Sequence, residues 1–332
     1  MDSQMKLKNY IEGALMAALA AMIALIGFYI PPFQVITVFV WLVPIIVVAV
    51  RRDFYTGILA LITSAILLMI LATPWRAFIF IVQFAGLGVV FSYYFSKRAE
   101  FSKIIMMGTI VVAISTVISF LLSFLIMGFS IADLTAAFEE TTDSVIIMYE
   151  SMGVLDRLQE QGLTIEEIRN TIMSMSNLLV KLIPATMVIY GMTVAFITYF
   201  ITRKVLQKLT IQVSQLPMFR YWQIPWYFIW GVIVGLALLL YGDFRSWEVG
   251  SIIGMNIMYM YFPILFIQGL SVLAFYYNKW KISILLKVLL LVIIVLNIPL
   301  TLMVLLITGL FDPLFNYRKI GYMKEKNNKE KG

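Results

Sequence analysis

Histidine and cysteine are both absent from the 332 residues. That removes the commonest general base, the commonest metal ligand, any thiolate nucleophile and any disulfide framework. Few ionisable groups fall within or beside the apolar stretches: Glu12, Arg76 and Lys287. Each sits near the end of its stretch, where the charged head can reach an interface along its own methylenes. They form no series of the kind that carries a proton or ion through a membrane. The pairs Glu139-Glu140 and Glu166-Glu167 have the oxygen ligands a hard cation takes. Adjacent residues on a helix point to different sides, so no metal site is assigned to them. Asp243, Arg245 and Glu248 belong to one turn. No Walker A, nucleotide loop, H-E-x-x-H or nucleophile elbow occurs. No catalytic, cofactor-binding or metal-ligating residue is therefore assigned, and the chain reads as neither an enzyme nor a self-powered pump.

What remains is uncharged polar, aromatic and packing chemistry. Tyr29, Phe33, Gln34, Trp41, Trp75, Arg76 and Gln83 gather at the ends of the early apolar stretches, with Arg76 a lone cation at the turn Thr73-Pro74-Trp75-Arg76. They are the candidate ligand pocket, although an interfacial aromatic belt accounts for each of them singly. Gly13, Ala14, Ala17, Ala18 and Ala21 form small-xxx-small runs that let another helix approach closely. That face either docks a partner helix or packs within its own bundle. Asn256 and Gln268 suit hydrogen bonds to neighbouring helices better than contact with a ligand.

The elements that must position these residues follow from the hydropathy. The chain is 62% hydrophobic and 13% charged, with mean hydropathy +0.95. Water-soluble domains carry about 25% charged residues, so a soluble enzyme is excluded. Nine stretches approach the ~20 apolar residues a spanning helix needs, near residues 10–30, 33–50, 54–72, 75–95, 104–129, 182–202, 224–241, 251–277 and 282–310. The first lacks a small-residue cleavage site and reads as an uncleaved helix. Pro31-Pro32 makes a sharp turn after it.

Basic residues fall in every second connection: Arg51-Arg52, Lys97-Arg98-Lys103, Arg203-Lys204-Lys208 with Arg220, then Lys279 and Lys281. The positive-inside rule places these and the N-terminus in the cytoplasm of a multi-pass plasma-membrane protein. Nine crossings would export Arg318, Lys319, Lys324, Lys326, Lys329 and Lys331. Asn297 and Pro299 interrupt the last stretch, so a bent or re-entrant element could return the tail, and its side stays open. The basic residues are short clusters flanking spans, so no nucleic-acid partner is expected.

Residues 130–181 form the long polar insertion. Leu134, Phe138, Val145, Met148 and Met152, then Ile165, Ile168, Ile172, Met175 and Leu179, recur at helical spacing. Thr164 with Glu167 is a capping-box start. Two amphipathic helices, punctuated by Gly153 and Gly162, would form an external acidic cap that is either a lid or a solvated hairpin.

The run Glu12-Gly13-Ala14-Leu15-Met16-Ala17-Ala18-Leu19-Ala20-Ala21, the turn Pro31-Pro32, Pro44, and Arg51-Arg52-Asp53-Phe54-Tyr55-Thr56-Gly57 resemble the S components of energy-coupling-factor vitamin transporters. The whole chain resembles the YybS-like family of bacterial integral membrane proteins. That second likeness rests on Pro217-Met218-Phe219-Arg220-Tyr221-Trp222-Gln223-Ile224-Pro225, on Asn256 followed by Gln268-Gly269-Leu270, and on Gly309-Leu310-Phe311-Asp312-Pro313-Leu314-Phe315-Asn316-Tyr317-Arg318-Lys319. The S-component likeness covers roughly six spans and implies an outward pocket for a small substrate. It also implies docking of the Ala14/Ala18 and Ala17/Ala21 faces on a coupling partner. The rod-shape-determining membrane subunit MreD is S-component-like too, and resembles an assembly scaffold.

The expected fold is thus an all-α polytopic membrane protein. An S-component-like six-helix bundle with the acidic insertion (1–210) is followed by about three further apolar helices (211–310) and a basic tail (311–332). Two functions suit it. One is a partner-dependent membrane binding or transport-associated subunit for a small molecule, without a cofactor. The other is a non-transporting cell-envelope scaffold. Both contact the lipid bilayer.

Overall fold

The computed structural model describes residues 2–319 except 129, 130, 161, 280–282, 284, 287, 290, 291 and 293–295. Their regular elements are all helical: α1 (Asp2–Tyr29), α2 (Pro31–Val40), α3 (Val43–Arg51), α4 (Phe54–Leu71), α5 (Pro74–Ser96), α6 (Phe101–Met127), α7 (Ile131–Ser151), α8 (Val154–Glu160), α9 (Ile165–Lys181), α10 (Ile183–Lys208), α11 (Ile229–Phe244), α12 (Glu248–Lys279) and α13 (Ile298–Phe315). Among the described residues, nine helical segments are long and apolar enough to cross a membrane, with α2 and α3 together making one of them. Large apolar residues point outward, as Ile70 (72% exposed) and Leu125 (79% exposed) do. Water would penalise that surface, and hydrocarbon does not.

The boundaries follow local chemistry. Prolines occupy the first turn of α2, α3, α5, α10 and α13, where the missing N–H has no helical acceptor to lose. Asp53 caps α4 by accepting from the Thr56 N–H at 2.8 Å.

The chain divides into two compact units, Met1–Gln215 and Leu216–Gly332. In the first, α1 lies against α2, α3 and α4, α5 against α3, α4 and α6, and α10 against α6, α3 and α2. Trp41, Phe84, Leu87, Phe91 and Tyr199 are buried at its centre. In the second, α12 packs between α11 and α13. Two 3-10 turns, Phe219–Tyr221 and Trp226–Phe228, precede α11.

Four expectations change. First, the last stretch is not one span from 282 to 310: Asn297 and Pro299 interrupt it, as expected, with Asn297 in a turn after the helical Leu296. They start α13, with Asn297 ahead of the helix (φ −120°, ψ 54°) and Pro299 in its first turn. The eighteen residues that follow are long enough to cross by themselves. Lys287 and much of the stretch before Asn297 lie outside the described residues, as do Lys281 and the tail lysines Lys324, Lys326, Lys329 and Lys331. Second, the tail expected from residue 311 begins later, because α13 runs to Phe315 and Arg318 is 1% exposed. Third, the acidic insertion holds three helices rather than two, since α8 forms between the left-handed turns at Gly153 (φ 65°) and Gly162 (φ 90°). The side chains of Leu134, Phe138 and Glu139 lie outside the described residues.

The fourth change concerns α1. Gly13, Ala17 and Ala21 are buried inside the bundle, with Ala17 at 0% and Ala21 at 2%. A Cβ at Gly13 would meet Thr56 of α4 at 3.0 Å. Close approach of α4 uses this face, so it is not free for a partner. Ala14 is exposed and Ala18 half-buried, on the outward side with the exposed Leu15 and Leu19.

Candidate functional sites

The second span is broken where the candidate pocket lies deepest. Pro44 has no N–H, so the Val40 carbonyl loses its helical donor, and the helix gives way to a turn at Trp41-Leu42. The neighbouring Phe39 carbonyl accepts instead from the Thr198 hydroxyl of α10 at 3.2 Å. Backbone freed inside a membrane bundle needs such a side-chain partner. The break holds Trp41 at 0% exposure, and its indole N–H has no acceptor among the described residues. A buried donor without a partner costs about 1–3 kcal/mol.

From Trp41 a chain of rings leads outward. Trp41 and Phe80 have centroids 4.9 Å apart, Phe80 and Phe28 5.0 Å, and the Arg76 guanidinium sits 5.8 Å from the Phe28 centroid. Tyr29 donates to the Leu71 carbonyl at 2.7 Å, which ties the end of α1 to the end of α4. The structure therefore connects Arg76 and Trp41 through Phe28 and Phe80, two rings that the sequence does not single out. Phe33, Gln34 and Trp75 are exposed beside the helix ends, and Gln83 is half-buried on α5.

At the other end of α1, Glu12 is not a snorkelling charge. It pairs with Arg51 at 3.0 Å and with Arg52, whose Nε donates to it at 2.6 Å. Lys97, Arg98 and Lys103 lie elsewhere, and Arg98 donates to the Gln212 side chain at 2.8 Å. In the insertion, Thr164 and Glu167 complete the capping box. The Thr164 N–H and hydroxyl donate to the Glu167 carboxylate and hold its pKa below the ordinary glutamate value. Arg169 pairs with Asp143, joining α9 to α7.

The second unit contains a buried charge network that sequence reasoning did not assemble. Gly269 and Gly309 let α12 and α13 touch, since a Cβ at either would overlap the other helix's Leu305 or Leu265 carbonyl. One turn beyond the contact, Gln268 Nε2 donates to Asp312 Oδ2 at 2.8 Å. After Phe315 the chain turns at Asn316, which takes a left-handed conformation (φ 45°) that asparagine tolerates. The turn sends Arg318 back over Asp312. Its Nε donates to Oδ1 at 3.1 Å and its Nη2 to Oδ2 at 2.7 Å. The remaining donors reach the Arg220 carbonyl, the Trp222 carbonyl and Ser271 Oγ, each at 2.7 Å. Gln268 Oε1 accepts from the Ile224 N–H at 3.2 Å. Asn256, by contrast, donates to the Ile252 carbonyl of its own helix. The three stretches that carry the YybS-like resemblance are the ones that meet here. Their pooling of Arg220, Gln268, Asp312 and Arg318 is the signal that could have found the network.

The chain belongs to the family described as Predicted membrane protein (DUF2232), whose profile matches residues 18–313. It is similar to "Uncharacterized protein YybS" of Bacillus subtilis (strain 168), at 25% identity over 272 residues, covering 81% of this chain and 84% of the relative. No solved structure matches.

Proposed function

We propose that this membrane protein is a binding or transport-associated subunit for a small molecule, partner-dependent and neither an enzyme nor self-powered. The ligand enters at the Arg76 end of the first unit and reaches toward Trp41. The supporting observation is the fully buried indole N–H without an acceptor, at the break in the second span. Discontinuous membrane helices expose backbone and polar groups to a bound substrate at bilayer depth. Arg76 supplies the one fixed charge above it, so the ligand class is anionic or strongly polar, with a planar part that suits Phe28 and Phe80. The S-component likeness and a cytoplasmic N-terminus in the plasma membrane belong to the same reading, with α7–α9 as an external cap over the entrance.

The test is a thermal-shift screen of metabolites on the purified chain, repeated on Arg76→Ala and Trp41→Phe. A ligand that binds only the folded state raises the melting temperature with its concentration. A stabiliser of the wild type that loses its effect in both variants supports the site, and one unaffected by either sinks it.

The scaffold reading is favoured by a different observation. Ala14 and Ala18 leave a shallow outward strip on α1 beside Leu15, which is 65% exposed. If no small molecule stabilises the protein while a co-purifying membrane subunit does, the scaffold role replaces the binding role.

A further inference from the structure

The second unit fixes a relation between chain ends that loop charges leave open. α11 and α12 run antiparallel: Gly242 lies beside Ser251, Gly254 beside Leu239, and Gly231 beside Tyr261. α12 and α13 run in the same direction. Gln268 meets Asp312, Ser271 meets Arg318, and the Tyr276 hydroxyl donates to the Tyr317 carbonyl at 3.3 Å. The C-terminal ends of α12 and α13 thus share one end of the unit with the 3-10 turn at Phe219–Tyr221, whose Phe219 carbonyl accepts from Ser271. The turn between α11 and α12 sits at the opposite end. α13 spans roughly 27 Å at 1.5 Å per residue over its 18 residues, so Lys279 and Ile298 lie at opposite ends.

We infer that Arg318 is a latch that holds the C-terminal turn and the 217–225 segment together at one membrane face, and that Lys319 lies at that face. Both members of the pair are 0–1% exposed. Arg318 spends its donors on two backbone carbonyls of the 217–225 segment, on Asp312 and on Ser271, so it closes the strap over the α12–α13 crossing rather than presenting itself to a ligand. An isolated guanidinium in hydrocarbon would be expelled, and these five acceptor contacts are what make its burial tolerable. Loop charges put Arg220 in the cytoplasm, and the latch therefore puts Lys319 there too. This inference is independent of the pocket in the first unit.

The chain has no cysteine, so single-Cys variants of the full protein read topology in cells without background. Lys319→Cys and Met218→Cys should respond alike to an impermeant thiol reagent, and Ser246→Cys should respond oppositely. Lys319→Cys labelling together with Ser246→Cys would overturn the inference. For the latch itself, Asp312→Asn keeps the shape and removes the counter-charge. The labelling rate of Ile224→Cys should then rise about tenfold or more as the strap opens. An unchanged rate in Asp312→Asn shows that Arg318 is no latch. If Asp312→Asn does not accumulate, the Lys319→Cys pattern on the intact network still decides the side on which Lys319 lies.

Discussion

Asp312 and Arg318 lie six residues apart and grip each other through both carboxylate oxygens, at 3.1 and 2.7 Å, with side chains wholly removed from the surface. The bidentate geometry depends on the left-handed turn at Asn316, which carries the arginine back along the helix it has just left. Placing a charge pair there is costly unless every remaining donor is satisfied. The carbonyls of Arg220 and Trp222 and the Ser271 hydroxyl satisfy them, so the pair organises the connection before α11 as well as the end of α13.

The glycine contact beneath the network should be intolerant of bulk. Gly269→Val or Gly309→Val forces the α12 and α13 backbones apart, and overpacking of this kind costs about 1–3 kcal/mol. Thermal unfolding in mild detergent should show the loss for both, with an alanine at either position giving a smaller one.

The two sides of α1 should separate in one experiment. Ala17→Leu enters a position with no exposed surface and should destabilise by about 1–3 kcal/mol. Ala14→Leu sits on the outward side and should leave the melting temperature unchanged. If that strip docks a partner, Ala14→Leu also removes the partner during purification. A destabilised Ala14→Leu would show that the strip is packed internally.

Glu12 should be needed with its charge. Glu12→Gln keeps the size but leaves Arg51 and Arg52 without a carboxylate at the junction of α1, α3 and α4. A charged hydrogen bond is worth about 1.5–3 kcal/mol. With Arg51 half exposed, the melting measurement should report the lower part of that range or less.

Acidification should loosen α9 at its start. The Glu167 pKa is lowered in the folded chain by the Thr164 N–H and hydroxyl. The cap's contribution is therefore present above the ordinary glutamate pKa and is lost as pH falls through the folded value. Amide exchange over residues 165–168, corrected for intrinsic rate, should accelerate below about pH 4. Thr164→Ala should raise exchange at neutral pH and weaken the pH dependence, because the backbone N–H of residue 164 still donates to Glu167, whereas Glu167→Gln should abolish it. A wild-type profile that stays flat until Glu167 is fully protonated would rule the cap out as a stabiliser.

Orientation is open to the same Cys-free strategy. Ser151→Cys and Ser246→Cys should be labelled from outside intact cells and Ser102→Cys should not. The reverse pattern would invert the whole arrangement.

The sequence by itself determined the solvent and most of the spans. Apolar length and loop charge act locally, so a run such as residues 54–72 announces a membrane helix without reference to its neighbours, and the Thr164–Glu167 cap is likewise complete within four residues. The Asp53 cap and the proline starts belong to the same class. Tertiary structure decided everything that depends on which side of a helix meets another. Gly13 and Ala17 belong to the inside and Ala14 to the outside, although all three look equally small in the sequence. Trp41 became an unpaired donor only because α10 and α5 close around the break at Pro44, and Arg318 became a core residue only because Asn316 turns it onto Asp312. An arginine six residues past an aspartate, at the start of a lysine-rich tail, reads as solvated until the carbonyls of residues nearly a hundred positions earlier arrive to hold it. Burial of a charge is a property of the assembled partners, and those partners are distant in the chain.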